Sequence, residues 1–160
     1  MSVVVILAAI ALVLSAVSFV SRRRFGLLGL ALAAGSILSS LWGNDASFVV
    51  GASGLPSSPL VTAATLSVLV LLPSILLLFH GYTYKNIAGR VIGSLMFTLL
   101  AMAFLVQPLG YALTLQGFGA NTYTLLVQNK DTIIGFGMIF AVVDLFFTKP
   151  AHLAEKKSRH

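Results

Sequence analysis

Asp144 stands inside the apolar run IIGFGMIFAVVDLFFTKP, and of all the residues it has the clearest capacity for chemistry. An ionised aspartate at the centre of a lipid-crossing helix costs about 2.5 to 3.5 kcal/mol, and less towards an edge. Such carboxylates either pair with a cation or mark a proton or ion pathway. Cations stand at a matching depth: Arg90 opens the fourth apolar run, and Arg22, Arg23 and Arg24 follow the first. An aspartate near a helix C-terminus is also opposed by the macrodipole, which favours a cationic neighbour. Two roles therefore follow for Asp144: an ion pair, with Arg90 as its candidate partner, or a site for a proton or small cation.

Other chemistries lack the residues they need. The chain has no cysteine, which removes disulfides, thiolate metal sites and a cysteine nucleophile. His80, His152 and His160 are scattered and do not share the spacing of zinc ligands. No nucleophile elbow, phosphate-cradling glycine loop or pair of carboxylates is present. The expectation is a protein that is not an enzyme and needs no metal or cofactor.

The elements that position Asp144 follow from composition. Of 160 residues, 58% are hydrophobic and 9% charged, against roughly 25% charged in soluble domains. A water-soluble core of this length cannot hide so much apolar surface. Crossing hydrocarbon takes roughly 20 helical residues. Four uncharged runs meet that length: Val3 to Val20, Phe25 to Trp42, Leu60 to Phe79, and Val91 to Leu109. A fifth, Thr132 to Phe147, is shorter and contains Asp144. Continuous runs in lipid must satisfy their backbone internally, which calls for helices. The predicted fold is all-α: an integral membrane domain over residues 1–148 with five transmembrane helices, followed by a basic tail, 149–160.

Charge sets the expected orientation. SRRRFG follows the first apolar run and nothing basic precedes it, so that run reads as an uncleaved reverse anchor rather than a signal peptide. With Arg22, Arg23 and Arg24 as a topology signal in the cytoplasm, five spans put nine Lys and Arg residues inside and only Lys130 outside. The N-terminus is expected outside and the C-terminus in the cytoplasm. The net charge of +6 is explained by anionic lipid headgroups at the cytoplasmic face. No basic stripe interleaved with aromatics supports binding to nucleic acid.

The connections and the small residues complete the pattern. GNDASFVVGASGLPSSP reads as an outer loop. Asn121 through Gln128 reads as a short helix lying flat on the outer leaflet, and Tyr111 and Tyr123 suit the headgroup region. Ala31, Gly35 and Ser39 recur every four residues, and Gly89 with Gly93 makes a second small-residue pair. Such faces let helices pack closely, within one subunit or between copies. Pro73 is expected to kink the third helix. Besides Asp144, only Thr62, Thr65, Ser67, Thr98 and Gln107 offer polar groups to line a path across the membrane.

The order of SRRRFGLLGL, a Gly/Ala-rich second helix, and a basic turn leading into NIAGRVIGSLMFTLL resembles the colicin V production protein family over roughly residues 1–110. Family members usually have arginine directly followed by glycine in the first turn. Here Phe25 intervenes, and the segment from Gly110 extends beyond the family pattern. The resemblance implies a multi-pass protein of the bacterial inner membrane, non-enzymatic, connected with export or envelope maintenance. On this reading the protein is an accessory or scaffold component that joins a homo-oligomer or a larger membrane complex through its small-residue faces. The alternative is an oligomeric channel or transporter for a small solute or ion that uses Asp144.

Overall fold

The computed structural model describes residues 3–52, 58–79, 84, 86–112 and 118–146. Five helices follow one another: α1 (Val3–Ser21), α2 (Phe25–Ala52), α3 (Pro59–Leu78), α4 (Ile87–Gly110) and α5 (Phe118–Phe146). All five are long and apolar enough to cross a membrane. They run alternately up and down, so α1, α3 and α5 end where α2 and α4 begin. That end carries Arg22, Arg23, Arg24 and Arg90 and is called the basic end here; the other is the distal end.

Three boundaries differ from those expected: α4 begins at Ile87, one turn before Val91, and so takes in Arg90, and the other two lie on α2 and α5. Helix α2 does not stop at Trp42 but runs through Gly43, Asn44 and Asp45 to Ala52. One glycine costs a helix only about 1 kcal/mol, and no proline arrives before Pro56 to stop it. Helix α5 takes in the stretch Asn121 to Gln128, which is the first part of one continuous 29-residue rod rather than a separate surface helix. Its polar side chains fold back on their own helix: Thr124 donates to the Ala120 carbonyl and Asn129 to that of Leu125, both at 2.8 Å. At 1.5 Å per residue α2 and α5 measure about 42 and 43 Å, longer than the roughly 30 Å of hydrocarbon.

Helix α4 is the hub and packs against the other four helices. Its buried side includes Phe97, Leu100, Ala101, Leu105 and Val106, which join Phe25, Leu28, Leu32, Val70 and Ala141 in the core. Helices α1 and α5 turn mostly apolar, exposed faces outward, as lipid-facing helices do.

Small residues and hydroxyls set the close approaches. A Cβ at Gly35 would collide with the Val70 carbonyl, so glycine permits α2 to lie against α3. Pro73 stands inside α3 and cannot donate to the Leu69 carbonyl, which also borders Gly35. Ser74 donates to the Leu28 carbonyl at 3.1 Å in the same interface. Across α1 and α4, Ser94 donates to the Ser15 carbonyl at 2.8 Å. Interhelical bonds of this kind are worth about 0.6 kcal/mol on average in a membrane.

Candidate functional site

Asp144 lies in the last turn of α5 at the basic end, half-buried against the start of α2. Its Oδ2 accepts a hydrogen bond from the Gly26 backbone N–H at 2.9 Å. That donor is one of the four that the first turn of α2 leaves without an intrahelical acceptor. The carboxylate therefore completes a neighbouring helix N-terminus, where the macrodipole favours negative charge. Glycine is required at 26, because a Cβ there would run into the Ala141 carbonyl and the Leu145 side chain. Arg24 supplies the positive charge, its Nη1 at 4.0 Å from Oδ1 and 3.4 Å from the Asp144 carbonyl.

Arg90, the partner expected from sequence, is engaged elsewhere. Its Nη2 donates to the Phe19 carbonyl at 2.9 Å, and its guanidinium lies 4.5 Å from the Phe19 ring centroid. Depth along the helix matches Asp144, but the direction around α4 points Arg90 at α1. Arg23 makes a third contact of this kind, with Nε and Nη2 donating to the Leu78 and Phe79 carbonyls at 2.9 and 2.8 Å. Each helix that ends at the basic end thus receives an arginine on its terminal carbonyls: Arg90 on α1, Arg23 on α3, Arg24 on α5. Those carbonyls have no intrahelical donor, and the C-terminal dipole attracts a cation. Arg22 adds no cap; its backbone takes the left-handed turn after α1, with φ 56°.

Tyr84, which sequence reasoning passed over, connects these parts. Its N–H donates to the Arg22 carbonyl at 2.9 Å, and its phenol oxygen accepts from the Phe25 N–H at 3.1 Å. The ring occupies the space left by Gly89 and Gly93, so this pair receives a side chain rather than another helix. Arg24 lies 5.5 Å from the ring centroid. Burial, with the negative charge of Asp144 nearby, pushes the phenol up to about 12. The phenol is thus protonated at neutral pH. An aromatic five residues before a Gly-xxx-Gly pair was the available signal.

Ala31 and Gly35 are buried on α2, with Ser39 partly buried beyond them towards the distal end. The distal end opens into a cavity of about 630 Å³ among α2, α3, α4 and α5. Thr62 and Gln107 line it, together with Lys130 and Asp131, which α5 carries within its span. Thr65 and Thr98 instead return their hydroxyls to their own helices, donating to the Val61 and Ser94 carbonyls. The Ser67 hydroxyl has no partner among the described residues.

Buried apolar side chains lie between the cavity and the Asp144 cluster. There Leu100 packs into the space beside Gly137 and Gly29, and Phe25, Leu28, Leu32, Phe97 and Ala141 fill the rest. Among the described residues no three acidic or histidine side chains converge as metal ligands; His80, His152 and His160 lie outside them, as do Lys85, Lys149, Lys156, Lys157 and Arg159. No protein-family model, curated protein or solved structure matches the chain.

Proposed function

We propose that the protein is a non-enzymatic, non-conducting scaffold of a multi-pass membrane assembly. The observation that carries this reading is the apolar plug: Leu100 and its neighbours separate Asp144 from the distal cavity. Asp144 is bonded to Gly26 and sits beside Arg24, as a tie between helices would be. A transported ion would have to displace these groups. The clustering of arginines at one end supports a cytoplasmic basic end, with the N-terminus outside. The resemblance to the colicin V production protein family supports a place in the bacterial inner membrane and a link to export or envelope maintenance.

Gly35 lies against the subunit's own α3, and Gly89 and Gly93 against Tyr84, which favours association through other surfaces. Lipid-facing surface remains on α5, where Gly135 has nothing within 4 Å and Phe136 and Ile139 are exposed. The test is ion and proton flux in proteoliposomes, paired with native mass in mild detergent. Flux at the level of empty liposomes, with self-association or a co-purifying membrane complex, is expected. Flux that falls on Asp144→Asn would replace the scaffold with a transporter.

A further inference from the structure

Lys130 stands near the middle of α5, about 21 Å along it from Asp144, in a helix whose length and composition suit a membrane span. Asp131 follows it, so two opposite charges sit within the span of a membrane helix. Both border the distal cavity, and neither has an ion pair or side-chain hydrogen bond among the described residues. Gln107 faces the same space from α4, also without a partner. Ionisable residues at such depth are expensive and face a cavity with a purpose more often than lipid.

We propose that this cavity binds a small zwitterion, a molecule with an ammonium group, an anionic oxygen group and a short apolar portion. The wall supplies both halves of the recognition. Asp131 takes the ammonium, assisted by Ser36 and Ser40. These two hydroxyls spend their protons on the Ala33 and Ile37 carbonyls, both at 2.8 Å, and so present lone pairs to the space. Lys130 and the Gln107 amide take the anionic oxygens. Leu66, Val70, Phe104 and Ile134 form an apolar floor for the remainder. The site is neutral overall, which selects against a ligand with only one of the charges. At about 630 Å³ it has the size of ordinary small-molecule pockets. It requires no passage through the plug and is therefore independent of the scaffold reading.

A free amino acid and a phosphatidylethanolamine headgroup share this chemistry, and the test separates them. The full chain in phosphatidylcholine nanodiscs is titrated with radiolabelled leucine. Saturable binding is expected, weakened at least tenfold for N-acetylleucine, which lacks the ammonium, and for leucine amide, which lacks the carboxylate. Lys130→Gln and Asp131→Asn weaken leucine binding at least tenfold at unchanged helix content and elution volume. The conservative Lys130→Arg and Asp131→Glu retain it, which serves as the comparison if the neutral variants fail to fold. Phosphatidylethanolamine that is retained by the wild type over Asp131→Asn in native mass spectrometry, or that suppresses leucine binding, identifies the headgroup as the source. The proposal is overturned if a singly charged analogue binds as tightly as leucine. It is also overturned if neither leucine nor phosphatidylethanolamine prefers the wild type to the neutral variants.

Discussion

The Asp144 carboxylate on α5 accepts the backbone N–H of Gly26 on α2 at 2.9 Å, so an acid near the end of one helix caps the start of another. This makes position 26 as demanding as position 144. A methyl group at Gly26 collides with the Ala141 carbonyl, forces α2 from α5 and lengthens the capping bond. Gly26→Ala is expected to cost about 1 to 3 kcal/mol, the usual range for overpacking. Reversible unfolding in mixed micelles measures it. A variant as stable as the wild type would show that the two helices do not meet there.

The arginine partner of Asp144 is tested by coupling energies. Arg24 lies 4.0 Å from Oδ1, and both side chains are partly open to solvent, 23% and 20% exposed. Contributions of partly exposed pairs are small, so the cycle of Arg24→Gln with Asp144→Asn should give a coupling of roughly 0.5 to 1 kcal/mol. The cycle of Arg90→Gln with Asp144→Asn should be additive within about 0.5 kcal/mol, because Arg90 is bonded to Phe19. Larger coupling to Arg90 than to Arg24 would reverse the assignment.

These two residues also show what the chain reveals before it is folded. Membrane thickness imposes a length of apolar sequence, so the existence of five helices is readable from composition alone. Depth is readable too, and it places Arg24, Arg90 and Asp144 at one end. The direction around each helix axis is not, because a run that is apolar on every side lacks the polar face that marks orientation in soluble helices. Hence Arg90 is a plausible partner by depth and the wrong one by azimuth. The extended ends of α2 and α5 escape notice for another reason: Asn44, Asp45, Gln128 and Asn129 have loop-forming composition, yet no proline interrupts the backbone there. A helix beginning at Thr132 places Lys130 and Asp131 in the outer connection and hides the charges of the cavity.

Arg23 separates capping from charge placement. Its two bonds close the end of α3 on the Leu78 and Phe79 carbonyls. Lysine keeps the positive charge that orients the helices but cannot reproduce the forked donor geometry. Arg23→Lys should therefore leave the topology unchanged while destabilising the α3 end by about 1.5 to 3 kcal/mol, the range for hydrogen bonds to charged groups. Hydrogen exchange over residues 74–79 reads the fraying, and accessibility of tags at both termini reads the topology. Normal protection in the lysine variant would mean that charge alone secures α3.

Tyr84 gives a pH signature. Its phenol is pushed up to about 12, first by burial and then by Asp144, from about 10 when the chain is unfolded. Between those values the folded protein holds a proton that the unfolded chain has lost, so stability falls as pH rises. The contribution is complete below about pH 10 and is lost progressively towards pH 12. Tyr84→Phe keeps the ring between Gly89 and Gly93 but removes both the acceptor for the Phe25 N–H and the titrating proton. The variant should be less stable than the wild type at pH 8, and the difference should shrink between pH 10 and 12. Lysines titrate in the same range, but they contribute equally to both proteins and cancel in the comparison. Thermal unfolding followed by circular dichroism gives both curves. A difference that stays constant across this window would mean that the Tyr84 hydroxyl is open to water rather than buried near Asp144.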